Sequence, residues 1–409
     1  MESSETPTSV EGYVRTAGAV ERRVLLRSGE LHGTRIADRS SDSDAFAAYW
    51  KSWLFGPRPE DAGSRVTVAD LFAGCGGLSV GVDEAARAVG KSAESVLAVD
   101  TNGPAMDVYE ENFRPTRAHR GDIAELIDRD LGDPLSRLEK ALRSQHEGLT
   151  LAVGGPPCQG HSDLNNHTRR SDPKNALYAK MGRFVEVARP EHVIIENVPG
   201  VLHDRTRVVQ RTSERLSAIG YTVTHGVLAA DELGWPQRRK RHVLIASRTH
   251  SDLNIDQLFD AQRRDPLPVG WILGDKATGE SLFNSPARHA AQNKRRIDFL
   301  FNNDIYELPD SERPDCHRLK PHSYKSVYGR MRNDQPAPTI TSGFGSTGQG
   351  RFVHPLQRRT LTPREASHLQ GFPDWFSFES ANTRGALQEM IGNAVPSRLA
   401  YVVALELLR

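Results

Sequence analysis

The chain has 409 residues, of which 37% are hydrophobic, and a formal net charge of +1 at pH 7. This length and composition predict a sizeable core, built as two domains or as one large domain with an insertion, and no apolar run approaches the ~18 residues of a membrane span. The start, MESSETPTSVEG, lacks the pattern of a signal peptide, and the cysteines (Cys75, Cys158 and Cys316) lack metal-ligand spacing, which predicts free thiols in a reducing compartment.

Residues 1–64 are the least informative part of the sequence and are rich in Ser, Arg and Glu. One short strand is predicted at Arg23–Arg27, and the residues of Ala45–Phe55 favour a helix with an aromatic face. We expect an appended segment that is partly ordered and packs on the main body. Its function is not readable from the residues.

From Val66 onward, apolar strands alternate with helical stretches. Five predicted strands, each followed by glycine or polar residues, are Val66–Phe72, Val96–Val99, Arg117–His119, Leu149–Val153 and His192–Ile195. Two more, Tyr221–Ala229 and His242–Ser247, are predicted to pair at one edge. This alternation indicates βαβ units and a mainly parallel sheet, which is an α/β fold. Because the carboxyl ends of parallel strands share one edge, the polar residues that follow them should gather there.

The turn after the first of these strands, Ala73–Ser79, is rich in glycine, which lets the backbone approach a ligand closely. Its spacing lacks the full G-x-G-x-x-G phosphate fingerprint, so a nucleoside without phosphates fits better than a dinucleotide. Asp100 can accept hydrogen bonds from two ribose hydroxyls, and Asp122 from an adenine amine. Each aspartate alone is better explained as a helix cap or a solvated turn residue. Together they favour an adenosine-containing cofactor such as S-adenosylmethionine.

The fourth strand leads into Gly154–Ser162, where two glycines and two prolines force a sharp turn. Cys158 therefore faces the ligand-binding edge of the sheet. A lone cysteine is normally a buried packing residue, but the rigid Pro-Pro approach and the polar residues that follow favour a presented nucleophile. The polar, cationic segment 161–170 suits a loop that closes on a ligand, and a mobile surface loop is the alternative.

Between Ser247 and Arg358 the alternation of strands and helices stops. Helix-like stretches at Asp252–Gln262 and Pro286–Phe301 come first, and a basic segment follows. From residue 313 to residue 359 there are nine Lys and Arg residues against two Asp, which indicates a polyanionic partner. A solvated face without a partner is the alternative.

Six sequence motifs then occur in one order along the chain: Asp70–Gly77, Gly155–Gly160, Glu196–Val198, Pro236–Arg241, Arg359–Pro373 and Gly392–Pro396. In these motifs the chain resembles the bacterial DNA (cytosine-5) methyltransferases, from about Val66 to the C-terminus. The resemblance implies a Rossmann-like S-adenosylmethionine-dependent methyltransferase sheet with a smaller, irregular target-recognition domain.

The resemblance also implies four parts of the chain. They are an N-terminal extension of unknown role (1–64), a catalytic and cofactor-binding domain (65–250), a target-recognition domain that includes the scaffold motif (251–384), and a C-terminal helix that returns to the catalytic domain (385–409).

The implied reaction transfers a methyl group from S-adenosylmethionine to C5 of cytosine in a specific double-stranded DNA sequence. Because C5 is a poor nucleophile, a thiolate must first add at C6, the role expected of Cys158. Glu196 is expected to stabilise N3 of the ring, while Arg241, with Arg239, holds Glu196 and O2. The target base must be flipped out of the duplex to reach such a site.

The resemblance assigns further residues to the site. Those expected to bind the cofactor are Phe72, Gly74, Gly76, Gly77, Leu78, Asp100, Asp122, Ile123, Pro156, Asn393 and Val395. Those expected to contact DNA are Gln159, Ser162, Arg169, Arg170, Gln237 and Thr339. No metal ligands are expected.

Two positions depart from the family pattern: His161 replaces the usual Phe, and Thr101 follows Asp100 where an aromatic often covers the adenine. Two other functions stay open, a tRNA cytosine-5 methyltransferase and a non-catalytic DNA-binding relative, and so does transfer of a group other than methyl. The recognition region of about 110 residues argues for DNA, and the presence of Cys158, Glu196 and Arg241 argues for catalysis.

The expected partners are double-stranded DNA and a companion restriction endonuclease that acts on the same site. We expect a monomer without membrane contact, in the cytoplasm and associated with the nucleoid through DNA.

Overall fold

The computed structural model describes residues 10–60, 63–157, 176–274, 279–318 and 327–409. The strands in this part of the chain are β1 (Glu11–Thr16), β2 (Ala19–Leu25), β3 (Leu31–Ala37), β4 (Ser64–Leu71), β5 (Lys91–Val99), β6 (Ala118–His119), β7 (Leu151–Gly154), β8 (His192–Asn197), β9 (Thr222–Ala229) and β10 (Lys240–Ser247). The helices are α1 (Ala45–Phe55), α2 (Gly77–Ala88), α3 (Gly103–Phe113), α4 (Arg137–Gln145), α5 (Ala176–Ala188), α6 (Val208–Ala218), α7 (Ile255–Gln262), α8 (Ala291–Asn302), α9 (Asp315–Arg318), α10 (Pro363–Leu369), α11 (Arg384–Asn393) and α12 (Ser397–Leu408).

The central sheet has seven strands in the order β6-β5-β4-β7-β8-β10-β9. Strands β4 to β8 pair in parallel, and β10 runs antiparallel to both of its neighbours. The predicted α/β class, the mainly parallel sheet and the pairing of the last two strands at one edge are therefore confirmed. All five predicted parallel strands are present, and each ends at the same edge of the sheet.

Helices cover both faces of this sheet, so the central strands are buried on both sides. One apolar core contains α2, α12 and the aromatic residues of α1, and the other contains residues of α4, α5 and α6. Helices α2 and α12 approach very closely. A Cβ atom added at Gly81 would lie only 2.4 Å from the Ser397 carbonyl oxygen and 2.6 Å from the Ala400 Cβ. The final helix, expected to return to the catalytic domain, packs on α2 through this contact.

The N-terminal residues form more structure than their sequence predicted. Strands β1, β2 and β3 make an antiparallel sheet, where the sequence had indicated one short strand. The helix predicted at Ala45–Phe55 is confirmed as α1, with the Asp44 side chain accepting a hydrogen bond from the Ala47 backbone N–H at its start. Arg22 of β2 is fully buried and forms an ion pair with Glu84 of α2 at 2.6 Å. This segment is therefore part of the folded body.

Residues 251–384 contain little regular structure in their described part. The two helix-like stretches are present as the shorter helices α7 and α8. The short helices α9 and α10 and isolated bridges such as Gln237–Ala337 and Arg330–Val353 make up much of the rest. The proposed division into four parts stays a prediction. Among the described residues, no single helix is long and apolar enough to cross a membrane; α11 and α12 reach that length and composition only as a pair, bent by 42°.

Candidate active site

A cavity of about 410 Å³ opens at the carboxyl edge of the central sheet, beside the ends of β4, β5, β7 and β8. Small-molecule sites typically have volumes of roughly 300–1,000 Å³. Of the residues predicted to bind a cofactor, those that line the cavity are Phe72, Gly74, Gly77, Leu78, Asp100, Asp122, Ile123, Pro156, Asn393 and Val395. Three residues predicted to be catalytic, Glu196, Arg239 and Arg241, line it as well. The expected gathering of polar landmarks at one edge of the sheet is confirmed.

The glycine-rich turn between β4 and α2 forms one wall of the cavity. Its backbone enters the left-handed region at Phe72 (φ 62°), Gly74 (φ 53°) and Gly76 (φ 96°). This conformation is open to glycine but costs a residue with a side chain on the order of 1–3 kcal/mol. Gly76 is not part of the cavity wall. A Cβ atom on Gly76 would point at the ring of Phe113, which lies 2.3 Å from that position. Its predicted cofactor contact stays a prediction, while turn geometry and packing account for the glycine.

The carboxylate of Asp100 connects the turn to the next strand. One oxygen accepts a hydrogen bond from the Gly74 backbone N–H at 2.8 Å, and the other accepts one from the Asn102 N–H at 2.8 Å. Each carboxylate oxygen can accept two hydrogen bonds, so Asp100 keeps the capacity to accept two more. Asp122 caps a short helix through the Ala124 N–H at 2.8 Å and also lines the cavity. Asp122 therefore caps a helix, as the alternative interpretation predicted, and it also lies in the cavity wall.

These walls fit an adenosine-containing cofactor. Asp100 and Asp122 offer acceptors at two places, Ile123 and Val395 supply buried apolar surface, and the glycine turn leaves room for close approach. Among the described residues, no group of three or more His, Cys, Asp or Glu side chains is arranged to hold a metal ion.

Glu196 and Arg241 form an ion pair in the cavity wall. Glu196 is at the end of β8 and Arg241 near the start of the antiparallel neighbour β10, and the Arg241 Nε lies 2.5 Å from Glu196 Oε1. Burial raises the pKa of Glu196 above its usual value, although Arg241 and Arg239 act to lower it. A buried carboxyl group with a raised pKa can keep or share a proton near neutral pH, as an acid that stabilises a ring nitrogen requires.

Two contacts join Glu196 and Asn197 to the loop that precedes the predicted nucleophile. A Cβ at Gly155 would be 3.1 Å from Glu196 Oε2, so the loop backbone passes directly beside the carboxyl group. The Asn197 side chain donates a hydrogen bond to the Pro156 carbonyl oxygen at 3.1 Å. Cys158 itself lies outside the described residues. Pro157, the residue directly before it, lines the same cavity.

Arg239 and Gln237 hold three segments together. The Arg239 guanidinium is buried and donates to the carbonyl oxygens of Ile340 (2.5 Å), Gly392 (3.2 Å) and Asn393 (3.4 Å). The Gln237 side chain is fully buried; it donates to the Leu369 carbonyl oxygen at 2.8 Å and accepts from the Ile340 N–H at 2.9 Å. These hydrogen bonds suit residues that position the site. The predicted contact of Gln237 with DNA would require its hydrogen bonds to rearrange, and it stays a prediction.

Thr339 is half-exposed, and its hydroxyl donates to the Arg238 carbonyl oxygen at 2.6 Å. It is thus attached to the segment directly before β10, the strand that carries Arg241. The other residues predicted to contact DNA (Gln159, Ser162, Arg169 and Arg170) lie outside the described residues.

Ion pairs with carboxylates neutralise much of the positive charge of the basic segment, residues 313–359. Of its nine Lys and Arg residues, seven are described, and six of these form ion pairs with carboxylates: Arg313, Arg318, Arg330, Arg351, Arg358 and Arg359. The positive charge of this surface is therefore smaller than the segment's own sequence predicts. Most of the acidic partners, such as Asp298, Asp304 and Glu307, precede the segment in the chain and so were not counted with it.

Sequence reasoning gave no role to several other residues in the cavity wall, among them Asn102, Asn197, Leu177, Glu389 and Met390. Asn102 and Asn197 each follow a predicted landmark at a strand end, which was a signal that could have found them. The others lie on α5 and α11 and carry no local signal. Cys75 is buried, and burial raises the pKa of its thiol.

Comparison with known proteins gives a consistent result. A family model described as C-5 cytosine-specific DNA methylase matches residues 66–409. The chain is 45% identical to the Type II methyltransferase M1.BsuMI of Bacillus subtilis (strain 168), covering 98% of this chain and 96% of that protein. It is 32% identical to the Type II methylase M.HgiDII of Herpetosiphon aurantiacus, covering 82% and 93% of the two chains.

Solved structures agree on the fold. The chain superposes on the S. pombe Dnmt2 methyltransferase with a TM-score of 0.58 at 19% identity, over 83% of this chain and 98% of that one. A prophage-encoded protein from E. coli, described as a putative DNA modification methyltransferase, gives 0.56 at 24% identity, over 83% and 97%.

Proposed function

Since the chain belongs to the family of C-5 cytosine-specific DNA methylases, we propose a role for each of its site residues in that family's reaction. The enzyme transfers a methyl group to C5 of cytosine within a specific DNA sequence. The observation that carries the assignment is the Arg241–Glu196 ion pair at 2.5 Å in the cavity wall, beside the loop that leads to Cys158.

Cys158 is the nucleophile of this proposal. Its thiolate forms a bond to C6 of a flipped-out cytosine, and the electron pair of the C5–C6 double bond makes C5 nucleophilic. Negative charge then develops towards N3 and O2 of the ring. After C5 has gained the methyl group, its proton leaves to a water molecule and the Cys158 sulfur is eliminated, which restores the double bond.

Glu196 and Arg241 stabilise the charge that this addition creates. Glu196 gives or shares a proton with N3, a role supported by the burial that raises its pKa. Arg241 keeps the carboxyl group in place through its Nε, and its remaining N–H groups can reach O2. Arg239 acts indirectly, by holding the surrounding backbone in place, because its guanidinium already donates to three backbone carbonyls.

The family implies S-adenosylmethionine as the cofactor, whose sulfonium supplies an electrophilic methyl group when bound. The residues proposed to hold it are the ten that line the cavity, and Asp100 and Asp122 supply its acceptors. Asp100 is proposed to bind the ribose hydroxyls and Asp122 the adenine amine. Gly76 acts through the shape of the turn.

DNA is proposed to lie against the mouth of this cavity, with the region 251–384 reading its sequence. The attachment of Thr339 to Arg238, two residues before the strand that carries Arg241, supports this arrangement. We further propose that the protein works as a monomer on the nucleoid, in the cytoplasm. Because the relatives are Type II methyltransferases, a restriction endonuclease of the same specificity is the proposed companion.

Transfer of labelled methyl groups tests the proposal. The purified enzyme should label the cytosine of duplex DNA and leave tRNA unlabelled, and mass spectrometry of the digested DNA should find 5-methylcytosine. A Cys158→Ser variant should lose this activity while it still binds cofactor. Labelling of tRNA alone, or of no nucleic acid, would contradict the proposal.

A further inference from the structure

One arginine of the basic segment differs from its neighbours. Arg332 is exposed, and within the described part of the chain it has no carboxylate partner, whereas the other six described arginines of the segment have one. Its guanidinium instead lies over the ring of Tyr306, 4.2 Å from the ring centre. The ring attracts a cation in this position, and the guanidinium N–H groups can still donate hydrogen bonds.

Tyr306 belongs to a longer arrangement that we name the arginine stack: Arg332, Tyr306, Arg330, Phe301 and Arg358. In it, the guanidinium of Arg330 lies 5.2 Å from the ring centre of Tyr306 and 4.0 Å from that of Phe301, and Arg358 covers Phe301 at 5.3 Å. Arg330 and Arg358 are neutralised by Asp304 and Asp298. The stack therefore supports one unneutralised guanidinium, at the Arg332 end.

Additional hydrogen bonds fix the middle of the stack. Arg351 donates to the carbonyl oxygens of Tyr306 (3.2 Å) and Arg330 (3.4 Å) and forms an ion pair with Glu307 at 2.5 Å. The Arg330 backbone N–H also donates to the Tyr306 carbonyl at 3.0 Å. These bonds tie the backbones of Tyr306 and Arg330 together, so Tyr306 and Arg332 are held near each other before any ligand binds.

The stack is connected to the catalytic strand by a short path. The Gln335 backbone N–H donates to the Arg332 carbonyl at 3.3 Å, and the Gln335 side chain accepts from Arg238 at 3.4 Å. Arg238 is bonded in turn to Thr339. Arg332 is therefore linked, through Gln335 and Arg238, to Thr339, a residue predicted to contact DNA.

We propose that Arg332 reads a guanine of the target sequence, by donating two hydrogen bonds to its N7 and O6 in the major groove. The proposal rests on the function proposed above. A phosphate contact tolerates a mobile side chain, since it depends mainly on charge, whereas a bidentate contact to a base edge requires a guanidinium held in one plane. A stack that orients one unpaired guanidinium fits the second requirement.

The test begins with bisulfite sequencing of DNA methylated by the wild-type enzyme, which defines its recognition sequence. Initial rates are then measured, with S-adenosylmethionine present, on duplexes in which each guanine in turn is replaced by 7-deazaguanine, which lacks the N7 acceptor. The wild-type rate should fall roughly 5- to 150-fold at one guanine. Arg332→Ala should be slow on the normal duplex and indifferent to that replacement.

Matched variants separate the stack from general effects. Tyr306→Phe keeps the ring and should keep the discrimination, whereas Tyr306→Leu should lose most of it. Arg318→Ala removes an exposed but ion-paired arginine of the same segment and should behave as wild type. The proposal is overturned if Arg332→Ala retains the wild-type discrimination. It is also overturned if that variant slows all duplexes equally and lowers the salt dependence by about one phosphate contact. A wild-type enzyme that methylates no DNA would instead refute the proposed function.

Discussion

Glu196 combines two properties at the scale of a single residue. Its carboxyl group is buried, which favours the protonated form, and Arg241 is close enough to orient it. Burial and orientation together suit an acid that acts on one ring atom. An exposed carboxylate at the same place would be ionised at neutral pH and would repel the charge that develops on the base.

Replacement of Glu196 by Gln keeps the shape of the side chain but removes its proton and its ion pair with Arg241. We expect kcat to fall by about 10²- to 10⁴-fold, with little change in cofactor binding. Glu191→Gln, directly before the opposite end of the same strand, serves as the control. Steady-state kinetics with labelled cofactor decide the matter, and a kcat within threefold of wild type would remove Glu196 from the mechanism.

Asp70 is a second buried carboxyl group, just before the glycine turn. Burial raises its pKa to about 7; repulsion from Asp100 adds to this, and a hydrogen bond from the Ser79 hydroxyl at 2.6 Å opposes it. Because the folded pKa exceeds the unfolded one, folded Asp70 holds its proton more tightly. The stability that this provides is complete below about pH 4, is lost as the pH rises towards 7, and then stays constant.

An Asp70→Asn variant should lack this pH dependence. Between pH 5 and pH 7, the stability of the wild type relative to the variant should decrease by about 1.4 kcal/mol for each pH unit. Thermal midpoints of both proteins at pH 5, 6, 7 and 8 provide the comparison, since other titrating groups contribute equally to both. Parallel curves across this range would mean that Asp70 is ionised throughout.

At the scale of elements, the contact of α2 with α12 links the two ends of the family region. Gly77 and Gly81 allow it: a Cβ at Gly77 would meet the Val395 carbonyl at 2.9 Å, and one at Gly81 would meet three atoms within 2.7 Å. Gly77 and Val395 both line the cavity. The packing of these helices therefore also sets the width of the proposed cofactor site.

A Gly81→Ala substitution should force α2 and α12 apart. We expect a loss of about 1–3 kcal/mol of stability and weaker cofactor binding, because overpacking shifts backbone as well as side chains. Gly385→Ala is the matched control, since that helical glycine has nothing within 4 Å of an added Cβ, and it should be neutral or slightly stabilising. Equal thermal midpoints for the two variants would show that the helices yield without cost.

The central elements could be predicted because their signals are local. Each buried strand is a short apolar run followed by a polar landmark, so the sequence predicted which segments form strands and the sheet edge at which their polar residues gather. Strands β1 and β3 were missed because most of their residues are exposed or half-exposed and are mixed in polarity. The pairing of the basic segment was missed for another reason: Asp298, Asp304 and Glu307 meet their arginines only through the irregular path of the chain.

At the scale of the whole molecule, the N-terminal segment shares its core with the family region. Trp50 of α1 packs against Trp235 and Tyr401, and Glu84 of α2 receives Arg22 of β2. Burial alone would raise the pKa of Glu84, yet Arg22 and Arg87 outweigh it and hold the pKa below its usual value. The match to M1.BsuMI spans 98% of the chain, whereas the family model begins at residue 66.

Arg22→Met should therefore destabilise the entire protein, since it leaves the buried Glu84 with fewer partners. We expect a loss of about 3–5 kcal/mol, and partial recovery when Glu84→Gln is added to remove the charge. Thermal unfolding of the wild type and the two variants measures this. A single variant with an unchanged midpoint would indicate that residues 10–56 form an independent appendage.

In the proposed mechanism, Cys158 bonds to C6 of a flipped cytosine opposite Glu196. DNA with 5-fluorocytosine at the target position tests it, because fluorine cannot leave as the C5 proton does and the covalent complex should persist. After incubation with S-adenosylmethionine, denaturation and protease digestion, mass spectrometry should find the methylated fluoropyrimidine on the peptide that contains Cys158, and none with Cys158→Ser. An adduct on another residue, or none from an enzyme that methylates ordinary DNA, would contradict the account.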